Sequence, residues 1–198
     1  MNYDFSRFSD KARKVIKLAD QRAKSLYHEY IGTEHLLLAL MDGDVGPVIV
    51  CALYKFKVVP QDVQYKTCDI IQAGPFLPAP NHQLPFSPQS QLVFEQAMSF
   101  ARNLQSPLVV GAEHLFWALL HDPESVATNV LTQLCGKAED LQQVVLDFCK
   151  GKYNRELLDT MSVPDQKLLM DISAVMIKYY EHHADAKKTV AEIKSIVK

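Results

Sequence analysis

The sequence is poor in glycine, and its seven glycines form no phosphate-binding loop. A P-loop ATPase needs the pattern GxxxxGK[ST], whose backbone amides surround the phosphates of the nucleotide. The sequence also lacks a GxSxG nucleophile turn, an HExxH zinc motif and any Cys-His spacing typical of catalysis. We therefore predict that the chain is not an enzyme and that it binds no metal and no cofactor.

Long apolar runs and paired cysteines are absent as well. No run reaches the roughly 18 residues needed to cross a bilayer, and "MNYDFSRFSDKARK" has no apolar signal-peptide core. The four cysteines are far apart and form no CxxC pair. We therefore expect a cytoplasmic protein without a membrane partner, in which the cysteines are buried thiols rather than disulfides or zinc ligands.

The charge is small and unevenly distributed. A net charge of −2 argues against a nucleic-acid partner. Residues 1–66 hold ten Lys/Arg and eight Asp/Glu, whereas residues 67–136 hold one basic residue, Arg102, and five acidic ones. An acidic second half would favour a cationic partner, although ordinary scatter of surface charge gives the same count.

The strongest positive signal is an internal repeat. Residues 8–40 align with residues 86–119, with one extra residue in the second copy. Within them, "YIGTEHLLLAL" at 30–40 recurs as "VVGAEHLFWAL" at 109–119. A repeat of this kind determines the architecture, because each copy is one structural unit.

Each copy has the pattern of a helix, a turn and a second helix, followed by two further helical stretches. Apolar residues of the first helix recur at three- and four-residue steps, which indicates an amphipathic helix. The further stretches are at about 45–55 and 60–72 in the first copy, and at about 123–134 and 137–149 in the second. No segment alternates long enough for a sheet, so the predicted fold class is all-α.

Hydroxyl residues and prolines mark the helix starts. Ser9 and Ser87 are expected N-caps, and Pro88 follows the second of them at the first helical position. Thr33 is expected to cap the second helix of the first copy. Alanine replaces it in the second copy, a loss of about 1 kcal/mol. Asp122, followed by proline, predicts a further helix start.

The proline content separates the two copies. Residues 74–88 carry five of the ten prolines, and proline lacks the amide proton that a helix needs. We predict repeats at about 5–73 and 86–150, joined by a linker at 74–85 into one domain, 5–150. Residues 151–198 are predicted to be a helical C-terminal extension that is not a third copy.

The duplicated phrase, each time preceded by a helix that opens with Phe-Ser, resembles the Clp amino-terminal domain, or Clp repeat, family. This module lies at the front of Clp-type ATP-dependent unfoldases. The resemblance covers roughly residues 5–150 and implies two pseudo-symmetric four-helix repeats. It also implies docking of protein substrates or adaptor proteins, with a Clp unfoldase as a candidate partner. Because ordered helix replaces the usual linker, we expect a free-standing protein.

The resemblance further implies a ligand site. In family members that partner the ClpP-type peptidase, the domain can bind phosphoarginine. By correspondence, Glu34 and Glu113 would meet the guanidinium group, and Ser9 and Ser87 would meet the phosphate. The chemistry agrees, because helix N-termini favour phosphate and carboxylates pair with guanidinium. Basic protein segments are another candidate ligand, and the changes in the second copy predict a weaker second site.

Simpler interpretations remain open. Glu34 and Glu113 are also first-turn acids, which stabilise a helix through its dipole alone. His35 and His114 are expected to bond locally at the helix starts, and Trp117 and its neighbour Phe116 to fill the core. For the whole chain, the alternative is a structural or regulatory interaction protein that uses the C-terminal helices for docking or self-association.

Overall fold

The all-α prediction is confirmed. The computed structural model describes residues 4–42, 46–77, 83–104 and 109–150, and the prediction for residues 151–198 lies outside them. Within the described ranges the chain forms eight helices and no strand. They are α1 (Asp10–Ser25), α2 (Thr33–Met41), α3 (Pro47–Tyr54), α4 (Pro60–Ile70), α5 (Pro88–Asn103), α6 (Ala112–Leu119), α7 (Val126–Cys135) and α8 (Ala138–Cys149).

The helices of the two copies correspond in order and in length. The opening helices α1 and α5 both have 16 residues. The helices α2 to α4 correspond to α6 to α8, and no pair differs by more than two residues. Each helix lies within a few residues of its predicted position. The apolar residues that recur with the helical period form the face that each helix buries.

The two copies interlock. Within the copies, α1 packs on α2 and α5 packs on α6. Between the copies, α3 packs on α8 and α4 on α7, while α1 contacts α6 and α2 contacts α5. Exchanging the copies maps each of these contacts onto another, so the predicted pseudo-symmetry is present in the packing.

The core is centred on α2 and α6. Every residue of α2 is buried, as expected for a short helix that is apolar around most of its circumference. In α6, Phe116 is 0% exposed, whereas Trp117 is only half-buried. Trp117 stacks on Phe100 of α5 with ring centroids 4.1 Å apart. Phe116 therefore fills the core as predicted, whereas Trp117 packs against its edge.

A cluster of phenylalanines joins the starts of α1 and α5. Phe8 and Phe86 immediately precede the two N-caps, and both have edge-to-face contacts with Phe94 of α5. Phe5 completes the cluster, with its ring centroid 5.2 Å from that of Phe94. Edge-to-face pairs of this kind contribute about 0.5–1.5 kcal/mol beyond simple burial, so the cluster stabilises the junction between the copies.

The predicted start of α7 at Asp122 is wrong. The helix begins at Val126, and its N-cap is Ser125, whose Oγ accepts a hydrogen bond of 3.1 Å from the backbone N–H of Thr128. Asp122 instead accepts a 3.0 Å bond from the backbone N–H of Glu124. Both side chains satisfy local backbone donors, and the serine is the one placed at the helix.

The prediction of four buried cysteines is correct only in part. Cys68 is exposed, since α4 buries Val63 and Thr67 and therefore turns the residue after Thr67 outward. Cys135 is buried, and burial raises the pKa of its thiol to about 11. No helix in the described part of the chain is long and apolar enough to span a membrane.

The turns between α3 and α4 and between α7 and α8 predict a stabilising substitution. Lys57 and Gly136 lie in these turns with positive φ angles of 59° and 89°. An L-residue loses about 1–2 kcal/mol in this region, whereas glycine does not. Glycine also increases the conformational entropy of the unfolded chain, which destabilises the folded state by about 0.4–1 kcal/mol and offsets part of the gain from relieving the positive φ angle. We expect Lys57→Gly to raise the free energy of unfolding, measured by urea denaturation, by about 0.5 kcal/mol.

Gly136→Ala is the matched control. No atom lies within 4 Å of a Cβ built at Gly136, so this substitution tests the backbone conformation alone. With φ 89° and ψ −124°, Gly136 lies outside the left-handed helical region in a conformation that favours glycine strongly, so the substitution should lower the free energy of unfolding by about 1–3 kcal/mol. A Lys57→Gly variant that is less stable than the wild type would contradict the strain assigned to this turn.

Candidate functional site

The N-terminus of each copy's first helix is bonded to the other copy. The backbone N–H of Ser9 donates to the carbonyl of Val110 (2.9 Å), and the N–H of Val110 donates to the carbonyl of Arg7 (2.8 Å). In the same way, Ile31 donates to Pro85 (2.7 Å) and accepts from Ser87 (2.9 Å). Val110 and Ile31 come just before the glycines that start α6 and α2. The start of each copy's first helix is therefore bonded to the start of the other copy's second helix, and we call this the crossed pairing.

This crossed pairing decides which predicted site residues are neighbours. Ser9 lies beside the turn that leads into Glu113, and Ser87 lies beside the turn that leads into Glu34. Each arrangement therefore combines the serine of one copy with the glutamate of the other. We call them the Ser9–Glu113 site and the Ser87–Glu34 site. The sequence alignment did not reveal the crossing, because nothing in either copy encodes its backbone partner.

Both predicted serine caps are confirmed. Ser9 Oγ accepts a 3.1 Å bond from the N–H of Ala12 at the start of α1. Ser87 Oγ accepts a 3.1 Å bond from the N–H of Ser90 and also donates to the Oγ of Ser90 at 3.1 Å. The hydroxyl of Ser87 is therefore engaged twice within α5.

The expected cap at Thr33 is wrong. The N-cap of α2 is Gly32, and Thr33 is the first helical residue. The Nδ1 of His35 accepts the N–H of Gly32 at 2.9 Å, and His114 accepts the N–H of Gly111 at 2.8 Å in the second copy. This is the backward half of a capping box, in which a side chain at the third helical position satisfies the N-cap amide. Alanine in place of Thr33 therefore removes no cap.

The glutamates fold back over these glycines. A Cβ atom built on Gly32 or Gly111 would overlap the carboxylate of Glu34 or Glu113 respectively. Any larger residue at either position would displace the carboxylate that the helix start holds there. An acid in the first helical turn is favoured by the positive end of the helix dipole, so the simpler interpretation of these residues also agrees with their position.

The contact between Glu34 and His35 is not an ion pair. The Oε1 of Glu34 lies 3.3 Å from the Nδ1 of His35, but that nitrogen already accepts the N–H of Gly32. A nitrogen that accepts a proton in a hydrogen bond has none to give to a carboxylate. Burial, followed by the charge of His28, lowers the pKa of His35 to about 3, so His35 is neutral at physiological pH.

The neutral His35 is part of a chain of hydrogen bonds. Its Nε2 carries the proton and donates to the Nδ1 of His28 at 2.8 Å. The Nε2 of His28 in turn donates to the carbonyl of Gln72 at 2.7 Å. The chain ties the start of α2 to the segment that follows α4. No pattern in the sequence points to His28, since no spacing rule connects it to residue 72.

The side chains of His28, Glu34 and His35 are close enough to suggest a metal site, with ligand atoms within 4.8 Å of one another. Their hydrogen bonds do not fit one. A metal would need a lone pair on the Nε2 of His35, which carries the proton donated to His28. Freeing that lone pair would require a doubly deprotonated imidazole, so these residues do not suit a cation.

The two sites differ in solvent access. The side chain of Glu34 is 12% exposed and that of Glu113 is 32% exposed. Ser87 is 8% exposed, whereas Ser9 is only half-buried. Burial raises the pKa of Glu34, opposed by its own backbone N–H and by the charge of His28. The Ser9–Glu113 site is therefore the open one, and the Ser87–Glu34 site is nearly closed.

Comparison with known proteins identifies the domain family that the sequence resembles. The model of the Clp repeat (R) N-terminal domain family matches residues 7–112. The chain is 33% identical over 144 residues to the ATP-dependent Clp protease ATP-binding subunit ClpA homolog of Porphyra purpurea, a match that covers 73% of this chain and 17% of that protein. With chaperone protein ClpC1, chloroplastic, of Arabidopsis thaliana, it is 33% identical over 142 residues, covering 72% and 15%. The chain thus matches a small part of these relatives.

A solved structure shares the fold. The N-terminal domain of the caseinolytic protease associated chaperone ClpD from Arabidopsis thaliana superposes with a TM-score of 0.59 at 24% identity. The match covers 76% of this chain and 99% of that domain. At this identity the likeness shows the fold and nothing about ligands. A chloroplast protein among the relatives leaves the predicted cytoplasmic location untested.

The buried carboxylate predicts that Glu34→Gln stabilises the protein at neutral pH. Because the folded-state pKa of Glu34 is raised, the folded state holds its proton more tightly than the unfolded state does. The stability that this provides is present at low pH and is lost as pH rises through the folded pKa. Glutamine carries no charge at any pH. We expect the melting temperature of Glu34→Gln to exceed that of the wild type near pH 7, with the difference disappearing on acidification.

Glu113→Gln is the control for this measurement, since the side chain of Glu113 keeps more contact with solvent. Its effect on the melting temperature should be smaller. The burial argument would be wrong if Glu34→Gln melted below the wild type at neutral pH.

The neutral His35 predicts acid sensitivity. In the unfolded chain it takes up a proton near pH 6.5, and in the folded protein only near pH 3. Its contribution to stability is therefore complete above pH 6.5 and is lost as pH falls toward 3, at up to about 1.4 kcal/mol per pH unit. Asparagine keeps an acceptor for the N–H of Gly32. We expect the free energy of unfolding of His35→Asn, measured with urea, to fall less steeply on acidification than that of the wild type. Equal slopes would contradict the assignment.

Proposed function

Because the chain belongs to the Clp repeat (R) N-terminal domain family, we propose that residues 5–150 form a non-catalytic module that binds protein substrates or adaptor proteins of a Clp-type unfoldase. The relatives named as Clp protease subunits match it over only 17% of their length. The matched segment contains no P-loop. This supports a role in capturing other proteins rather than in hydrolysing nucleotide.

The Ser9–Glu113 site is the observation that carries the proposal. The start of α1 offers the positive end of a helix dipole, which favours a phosphate group, and its first-turn acid, Asp10, is paired with Arg13 and offsets only part of that field. Beside it, the half-open carboxylate of Glu113 can accept two hydrogen bonds from a guanidinium. Phosphoarginine carries both groups. Its phosphate would lie at the start of α1 in the first copy, and its guanidinium would lie at Glu113 in the second copy. An arginine in a basic protein segment would use the carboxylate alone.

The Ser87–Glu34 site is less suited to the same ligand. The first residue of α5 is Pro88, which has no N–H to offer a phosphate. The hydroxyl of Ser87 is already engaged with Ser90, and Glu34 is nearly buried. The sequence suggested that divergence of the second copy weakens one site. Because the sites are crossed, the nearly closed Ser87–Glu34 site combines the divergent helix α5 of the second copy with the Gly-Thr-Glu-His motif of the first copy.

Calorimetric titration of the full chain with phosphoarginine tests this proposal. We expect a stoichiometry near one rather than two, because a single site is open. Glu113→Gln should weaken binding at least about tenfold, since a hydrogen bond to a charged group contributes about 1.5–3 kcal/mol. Glu34→Gln, the matched variant in the closed site, should change the affinity by less than about twofold.

Three controls define the outcome. Arginine and inorganic phosphate, titrated separately, should bind more weakly than phosphoarginine. Deletion of residues 160–198 should leave phosphoarginine binding unchanged, whereas a loss would favour docking through the C-terminal extension. Equal effects of Glu34→Gln and Glu113→Gln would contradict the proposed asymmetry, and no binding at all would overturn the phosphoarginine assignment.

A further inference from the structure

A groove on the outer side of α1 is separate from the two sites described above. It has a volume of about 390 Å³. Its lining includes three cationic side chains of α1, those of Arg13, Lys17 and Lys24. These residues are spaced four and seven apart, so they follow one stripe of the helix. Its apolar lining is the half-buried Phe5 and the edge of Ile16, which is only 5% exposed, and Asp20 and Gln83 complete it.

Two of the three cations are already paired. Lys24 forms a 2.6 Å ion pair with Asp20, which also accepts a 2.9 Å bond from the backbone N–H of Leu84. Arg13 is bonded to Asp10 and to the carbonyl of Phe8. The exposed ammonium group of Lys17 has no hydrogen bond or ion pair to any other residue of the described part of the chain. The groove therefore keeps an excess positive charge at Lys17.

The fold does not require the cations at positions 13 and 17. At the corresponding positions of α5, the second copy has Gln91 for Arg13 and Glu95 for Lys17, whereas Lys24 corresponds to another cation, Arg102. The helix is the same length and packs against its partner helix in the same way. The two cations that only the first copy has are thus a property of its surface rather than of the architecture.

We propose that this groove binds an acidic peptide segment that carries an apolar side chain. An acidic group of the peptide pairs with Lys17, and the apolar side chain packs on the exposed part of Phe5. From Arg13 to Lys24 the helix rises about 16 Å, the length of about five residues of extended chain. An apolar contact between cations favours a peptide over a nucleic-acid backbone, which presents phosphates without such a side chain.

Fluorescence anisotropy of the full chain tests this proposal. The probe is a short labelled peptide in which a phenylalanine lies between two runs of glutamate. Lys17→Glu installs the residue that the second copy has at this position, and we expect it to weaken binding at least about tenfold. Lys14→Glu, an equal charge change at an exposed neighbour outside the groove, should weaken binding less than about threefold.

Variation of the probe separates the remaining explanations. Replacing its phenylalanine with alanine should weaken binding at least about fivefold, since a buried phenylalanine contributes about 1.5–3 kcal/mol. An oligothymidylate of equal charge should bind more weakly than the peptide. Equal losses for Lys17→Glu and Lys14→Glu would reduce the effect to general electrostatics and overturn the proposal. Tighter binding of the oligothymidylate, or no peptide binding, would also overturn it.

The proposed peptide binding in the groove and the proposed phosphoarginine binding at the Ser9–Glu113 site can be tested independently. Glu113→Gln should leave acidic-peptide binding unchanged, and Lys17→Glu should leave phosphoarginine binding unchanged. Circular dichroism of Lys17→Glu should match the wild type, because Lys17 is exposed and contributes nothing to the core.

Discussion

The structure depends on the crossed backbone pairing between its two copies. Buried N–H and C=O groups must find partners, and those of Ile31 and Val110 find theirs in the segments that precede α5 and α1. These bonds fix the starts of α1 and α5 against the starts of α6 and α2. The phenylalanine cluster then packs around the same junction. The crossed backbone bonds hold Ser9 beside the turn before Glu113 and Ser87 beside the turn before Glu34.

The repeated Gly-x-Glu-His motif combines structural and functional demands in one helical turn. The glycine leaves room for the carboxylate, and the histidine accepts the glycine amide. The same histidine is held neutral by burial in α2, so it does not neutralise the acid beside it. A carboxylate placed in this way keeps its negative charge for an external cation where solvent can reach it. Among the two copies, this condition is met better at Glu113.

Local features of the structure could be predicted from the sequence, and long-range ones could not. Apolar periodicity located the helices, and Ser9 and Ser87 were correctly identified as caps, because these depend on neighbours within four residues. Thr33 was a wrong choice because the N-cap is one residue earlier, at Gly32, and Thr33 is already the first helical residue. The crossing of the sites and the link from His28 to Gln72 arise from packing between distant segments. No local pattern encodes that packing.

The reciprocal contacts of α3 with α8 and of α4 with α7 have one more implication. A surface that meets its own equivalent across a two-fold axis is the isologous type found in symmetric dimers. Two identical single-repeat chains could form the same set of contacts, and neither would complete a site by itself. Covalent fusion of such a pair removes the dependence on protein concentration. It also frees each half to change its surface alone, which is how one copy of the opening helix can be basic and the other nearly neutral.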